Sequence, residues 1–169
     1  MAITLEVYLQ HQVIRGSLRD DSGHRSIDVL NGAQSQIITL NDAMAASLHA
    51  QAPPSKLGMV RIRRPQIQFV VPQTVEALPP RRFRVGFVEK RPLGVGIGVG
   101  PFVLTGTIHV NPNEPNPIIS LEHDPGGRFF IPITKACLTS LYDPRWTLNA
   151  ELVFLNRAAV TSSYLYDAG

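Results

Sequence analysis

The sequence predicts an all-β protein made of two tandem homologous units, each a small β-barrel of four to five strands. Residues 3 to 72 recur, with changes, at positions 93 to 165. Apolar residues in both copies alternate along short segments, as they do in half-buried strands. Short strands separated by turn residues at this spacing are typical of small barrels and sandwiches. We therefore expect a first repeat over 1–72, a linker over 73–92 and a second repeat over 93–169.

The first two strands of each copy match at a constant offset of 90 positions. The alternating apolar residues of Ile3–Leu9 correspond to those of Leu93–Val99. The same offset aligns VIRGSL at Val13–Leu18 with VLTGTI at Val103–Ile108. Both segments therefore predict strands.

The second strand of each copy contains a glycine, Gly16 or Gly106. Because glycine inside a strand usually marks a bulge or a bend, we expect these strands to bend there. A polar loop with three extra residues in the second copy follows, and beyond it Ile37–Leu48 matches Phe130–Leu141 at an offset of 93. These segments read as strands, although their later halves are rich in Ala, Met and Leu and are also compatible with one helical turn.

The last block keeps the offset of 93 and aligns Val60–Ile67 with Val153–Val160. A residue class is retained at most of these positions, including Arg64 and Arg157. The pattern predicts a strand hairpin that turns at Arg64-Pro65 in the first copy and at Arg157-Ala158 in the second.

The linker between the copies is rich in proline and charge. It contains Pro79-Pro80, and its apolar residues Phe83, Val85 and Phe87 alternate. This alternation predicts a further strand inside the linker, which would pair with one unit's edge or bridge the two barrels.

The order of these features resembles that of small bacterial barrel domains whose function is uncharacterised. The features are the N-terminal apolar strand, the Gly-bearing second strand, the polar loop ending in RSIDVLN (Arg25–Asn31) and the segment IITLNDA (Ile37–Ala43). More loosely, the strand order is similar to that of Sm-like and SH3-like barrels. The resemblance to Sm-like proteins implies assembly into rings and RNA binding, but it assigns no binding residues here.

Charge is distributed unevenly along the chain. Nine of the 16 basic residues and two of the 13 acidic residues lie between Lys56 and Arg91. This segment therefore carries a net charge of +7, whereas the rest of the chain carries −4. Guanidinium groups on a strand face beside aromatic rings suit a phosphate backbone and stacked bases. The candidate contacts for nucleic acid or a protein partner are Arg61, Arg63, Arg81, Arg82 and Arg84. The alternative is that these arginines form a solvated face or pair with acidic surfaces.

The strand that opens the second copy lacks side chains on one face. Its glycines are Gly94, Gly96, Gly98 and Gly100, and Pro101 follows them. Glycine weakens a strand, so its repetition favours close packing of a backbone, an aromatic ring or a ligand against this face. Sequence drift at an exposed edge is the alternative. The spacing does not fit the GxGxxG of a dinucleotide-binding loop.

No catalytic, cofactor-binding or metal-ligating constellation stands out in the sequence. Cys137 is the single cysteine, which leaves no intramolecular disulfide and no cysteine zinc site. His123 has acidic neighbours, but the DPGG that follows is turn chemistry. No segment has the length of apolar residues that a membrane span or a secretion signal needs, so we expect a cytoplasmic protein without cofactors.

These observations predict a non-enzymatic interaction or assembly module that binds a protein partner or itself through exposed edges and the glycine face. The alternative prediction is an RNA- or DNA-binding protein that uses the arginine-rich segment 56–91. A small-molecule site between the two barrels is a third option, for which the sequence names no ligand.

Overall fold

A computed structural model describes residues 2–19, 25–32, 36–73, 89–123 and 126–166. The predicted all-β class is confirmed, because the regular structure of these residues consists of ten antiparallel strands, two short α-helices and two 3-10 turns. The first five strands are β1 (Ala2–Tyr8), β2 (Gln12–Arg19), β3 (Ile37–Ser47), β4 (Ser55–Arg63) and β5 (Phe69–Pro72). The next five are β6 (Arg91–Val99), β7 (Phe102–Val110), β8 (Phe130–Ser140), β9 (Thr147–Asn156) and β10 (Val160–Tyr166). The helices are α1 (Ser26–Asn31) and α2 (Ile119–Glu122). Neither is long and apolar enough to cross a membrane.

The strands form one sheet in the order β10-β6-β7-β8-β9-β5-β1-β2-β3-β4, which corrects the expectation of two separate barrels. Within the described ranges, no pairing closes either set of five strands. The reason is that β5 pairs with β1 of its own set on one side and with β9 of the other set on its second side. The hydrogen-bonding groups that would close a barrel are instead used to join the two sets. The linker strand predicted around Phe83–Phe87 lies outside the described residues.

The two sets of strands have the same internal order and, apart from local bulges in β3–β4 and β6–β10, the same registers. In the first set Leu5 lies opposite Gly16, and in the second set Val95 lies opposite Gly106. The register between the second and third strands shifts at both glycines, which confirms the predicted bulges. In the third strand of each set, the bulge opposite the glycine contains one residue with positive φ, Asp42 at 51° or Lys135 at 50°.

The polar loop of the first copy contains a helix that the sequence reading missed. Ser26–Asn31 forms α1, whose Leu30 side chain is fully buried among the apolar side chains of the first set of strands. Ser, Asp and Asn in this segment favour turns, but the burial of Leu30 stabilises a helix here. The later halves of β3 and β8, by contrast, continue as strands through Ser47 and Ser140.

The predicted hairpin turns are 3-10 turns, Arg64–Gln66 and Arg157–Ala159. They redirect the chain instead of folding it back on the preceding strand, so that β5 pairs with β1 and β10 pairs with β6. Pro65, the second residue of the first turn, suits it because proline fixes φ and needs no hydrogen-bond acceptor. The hairpin interpretation is therefore wrong for the pairing, although it placed the turns correctly.

Two hydrophobic cores lie on opposite sides of β5 and β9. Along β5, Phe69 and Val71 pack into the core of the second set, whereas Val70 packs into the core of the first set. On β9, Leu155 faces the second core and Phe154 the first. Because successive side chains of a strand point to opposite faces, each of these strands supplies both cores at once. The two sets of strands are thus packed together as one body.

Tyr8 and Asn156 add specific contacts at this junction. The Tyr8 ring stacks on Phe69 at a centroid distance of 4.4 Å and meets the edges of Phe102 and Trp146. Burial, followed by the charge of Glu6 and the hydrogen bond that the Tyr8 hydroxyl donates to it, raises the pKa of Tyr8. Tyr8 follows the buried Val7 on β1, so period-two alternation alone would place it on the outer face, yet it is part of the second core.

The side chain of Asn156 is fully buried and holds the first 3-10 turn. Its Nδ2 donates hydrogen bonds to the carbonyl oxygens of Arg64 at 3.1 Å and Ile67 at 2.7 Å. Its backbone N–H donates to the carbonyl of Gln68 at 3.1 Å. One residue of β9 thus satisfies three carbonyls at the entry to β5, which fixes where β5 begins.

We expect Asn156→Ala to lower the free energy of unfolding by about 3 kcal/mol, because buried carbonyls lose their donors. Asn149→Ala on the exposed face of the same strand is the matched control and should change it by less than about 0.5 kcal/mol. Urea denaturation followed by circular dichroism measures both. Equal effects of the two substitutions would contradict the role given to Asn156.

Candidate interaction edges

The strand β4 forms one end of the sheet. It pairs with β3 on one side, and no strand lies on its other side within the described ranges. The side chains of Lys56, Arg61 and Arg63 are exposed, while Ile62 between the two arginines is buried. The alternation expected for this strand is therefore present, with the guanidinium groups on the outer face.

Only part of the predicted arginine surface can be located. Arg61 and Arg63 lie two residues apart on β4, whereas Arg81, Arg82 and Arg84 fall outside the described residues. The two located arginines share the edge with exposed apolar side chains, Leu57 at 44% and Met59 at 67% exposure. The edge is thus both cationic and apolar.

Arg64 does not belong to this surface although it follows Arg63 directly. Its side chain is buried and donates hydrogen bonds to the carbonyls of Gly32 and Val29 at the end of α1. Burial lowers the pKa of Arg64. Arg157 of the second set makes the equivalent contact with the carbonyl of Ser120 in α2. The arginine shared by the two copies therefore anchors the short helix of each set.

The other end of the sheet is β10, which pairs only with β6 among the described strands. Tyr164, Leu165 and Tyr166 are exposed on it. Of the nine exposed large hydrophobic side chains found in the described parts of the chain, five therefore lie on the two end strands. Isolated exposed apolar residues are ordinary, but their concentration on both free edges marks these edges as candidate contact surfaces.

The glycine face of β6 is covered by side chains of the neighbouring strand β10. A Cβ atom on Gly96 would overlap the ring of Tyr164, and one on Gly94 would lie 2.8 Å from the ring of Tyr166. A Cβ on Gly98 would lie 2.5 Å from the Ser162 hydroxyl. The space left by the missing side chains is thus occupied by aromatic and hydroxyl groups of the same chain.

Gly100 has a different position from the other three glycines. It lies in the turn between β6 and β7 with φ of 52°, a conformation that favours glycine. A Cβ there would lie 2.9 Å from the Gln68 side-chain carbon Cδ. Gly100 thus belongs to the contact between the two sets of strands.

Two histidines that are distant in sequence come together at the end of β2 and β3. Nδ1 of His11 lies 3.1 Å from Nε2 of His49, and the His49 ring packs against the edge of Tyr142. His11 and His49 are 38 residues apart in the sequence, and they meet only because Gln12 pairs with Ser47. Across the parts of the chain that the structure describes, no three His, Cys, Asp or Glu side chains form a group that could hold a metal.

His123 has a structural position after α2. Its backbone N–H donates to the carbonyl of Ile119 at 2.7 Å, and its side chain is exposed. The Asp124 that follows lies outside the described residues. Cys137, on β8, is partly buried.

Comparison with known proteins found no matching family model, no matching curated protein and no matching solved structure.

We expect the glycines of β6 and β7 to differ in their tolerance of alanine. A Cβ on Gly106 would lie 2.5 Å from Cγ2 of the fully buried Ile133 and 3.1 Å from the Thr134 carbonyl, so Gly106→Ala should lower the free energy of unfolding by about 2 kcal/mol. Gly96→Ala meets only the outer atoms of Tyr164, whose half-exposed ring can turn into solvent, so its cost should stay below about 1 kcal/mol. Chemical denaturation of both variants measures the difference, and a larger loss for Gly96→Ala would contradict this description of β10.

Proposed function

We propose that this chain is a duplicated strand-rich unit that works as a non-enzymatic interaction module, and that it binds extended segments of protein at the free edges β4 and β10. Its partner is either another protein or a second copy of the chain. In this mode an added strand gains main-chain hydrogen bonds from the edge and places alternate side chains in contact with it.

The single observation that carries the proposal is the combination of open edges with exposed apolar side chains. Edge strands in proteins are usually protected by charge, proline, bulges or covering segments. β4 has such protection in part, with three exposed cations and Gly58 at φ of 70°. It nevertheless exposes Met59 and Leu57, and β10 exposes Leu165 with two tyrosines. Apolar side chains on two edges to which no described strand is paired support a strand partner.

Support also comes from the junction inside the molecule. There the end strand of one set, β5, is paired with the end strand of the other set, β9. The edges of these units therefore accept an added strand, with side chains buried on both faces of it.

Selection of random extended peptides on the immobilised protein tests the proposal. We expect selected peptides to alternate apolar and polar residues, and their binding to weaken at least tenfold in Met59→Asp or Leu165→Asp. Leu141→Asp is the matched control, because Leu141 is about as exposed as Met59 and more exposed than Leu165, but lies outside both edge strands. The proposal fails if no peptide is selected, or if peptides bind both edge variants as tightly as the original protein.

Nucleic-acid binding is a second candidate, favoured by the exposed Lys56, Arg61 and Arg63 along one strand. Fluorescence anisotropy with a labelled single-stranded oligonucleotide should then show binding that weakens steeply with salt. Arg61→Glu combined with Arg63→Glu should abolish that binding, whereas Arg145→Glu, on an exposed turn before β9, should not. Affinity that survives the double substitution would remove β4 as the nucleic-acid surface.

A further inference from the structure

We infer that the partner at these edges is a second copy of the chain, and that copies join head to tail by pairing β4 of one molecule with β10 of the next. This inference rests on the proposed function, since it names the occupant of the same edges. It starts from the two pairs that join the sets internally, Phe69 with Leu155 and Val70 with Phe154.

The two end strands of the sheet correspond to the two strands that pair at the internal junction. β10 has the same place in its set as β5 has in the other set, and β4 has the same place as β9. Shifting the internal pairs by the repeat offset of 93 places Ser162 opposite Ile62 and Ser163 opposite Arg61 of a neighbouring copy. The chain thus contains both halves of a contact that it already makes once within itself.

Continuing this register brings the exposed apolar side chains together. Leu165 comes to lie opposite Met59, and Tyr164 opposite Val60. Met59 is 67% exposed and Leu165 is 39% exposed in the single chain. Directly opposed side chains on neighbouring strands are the pairs that stabilise a sheet. β5 ends at Pro72, whereas β10 has Leu165 at the matching position and continues to Tyr166, so the outer contact has room for more pairs than the inner one.

Arg63 occupies the position that Asn156 holds at the internal junction, 93 residues later. Asn156 donates to the carbonyls of Arg64 and Ile67, whose counterparts are the carbonyls of Arg157 and Val160. A guanidinium carries five N–H donors and no acceptor, so Arg63 can supply the same two hydrogen bonds to a neighbouring copy. Arg61 replaces Phe154, and its aliphatic stem can cover Leu165 while its charge stays in water.

The outer contact is more polar than the inner one. Two serines and an arginine take the places of Phe69, Val70 and Phe154. We therefore expect an association that depends on concentration, in contrast to the permanent internal junction. Because the two surfaces differ, the contact is of the head-to-tail type, which produces closed rings or open chains.

The test is the mass of the full chain in solution, measured by sedimentation equilibrium over a range of concentrations. The unmodified protein should form species that are multiples of 18.6 kDa. Met59→Asp and Leu165→Asp should each be monomeric, while the control Leu141→Asp should assemble normally. All three positions are exposed, and circular dichroism verifies that the variants are folded. Met59→Ser and Leu165→Ser replace any aspartate variant that is not.

Mixing the two edge variants distinguishes pairing of β4 with β10 from pairing of like edges. Met59→Asp keeps an intact β10 and Leu165→Asp keeps an intact β4, so an equal mixture should form a dimer of about twice 18.6 kDa and nothing larger. Pairing of like edges would instead allow either variant to dimerise alone, and that result would overturn the inference.

Other outcomes distinguish this inference from the function on which it rests. A protein that remains monomeric at every concentration overturns self-pairing, and retained edge-dependent peptide binding would then leave the proposed function standing. Assembly that persists in both edge variants, together with the absence of peptide binding, would overturn both.

Discussion

The pairing of β5 with β9 is the interaction on which the rest of the structure depends. A strand at the end of a five-stranded set pairs with its own set on one side only. β5 pairs with β1 on that side, and on its other side it pairs with β9 of the other set. Its side chains then have a core on each face, with Val70 directed to one and Phe69 to the other. Burial on both faces requires apolar residues at consecutive positions, as in Phe69–Pro72.

This constraint explains where the two sets of strands differ. Phe154 and Asn156 are buried at the junction, while the matching Arg61 and Arg63 lie on an edge to which no described strand is paired. Matching positions are therefore buried where the strand is covered within the chain and cationic where it faces outwards. The glycine face shows the same dependence on neighbours, because Gly94 and Gly96 lie beneath Tyr166 and Tyr164, whereas the matching Glu6 lies opposite Val71.

The sequence was sufficient to predict the strands and their order along the chain, because period-two alternation and the two glycines are local signals. It was not sufficient to predict that β5 pairs with β9 instead of forming a hairpin with β4, because this pairing depends on how β5 packs into two cores at once. The position of Tyr8 shows the same limit. Its alternation predicts exposure, but the second set of strands covers it.

Of the candidate site, the sequence located Arg61, Arg63 and the glycine face, but not the apolar edges. Met59 and Leu165 carry no motif, and their exposure follows only from the order of strands in the sheet. The contact between His11 and His49 was invisible for a similar reason, because it arises from strand pairing over 38 residues.

Native-state hydrogen exchange at the junction tests most directly the claim that β5 and β9 join the two sets into one cooperative body. The amide of Asn156, which donates to Gln68, should exchange with the same free energy as the amide of Leu104 in the middle of β7. Agreement within about 1 kcal/mol would show that the junction opens only when the whole protein unfolds. An opening free energy at Asn156 that is lower by several kcal/mol would contradict the account, because the two sets could then separate while each stays folded.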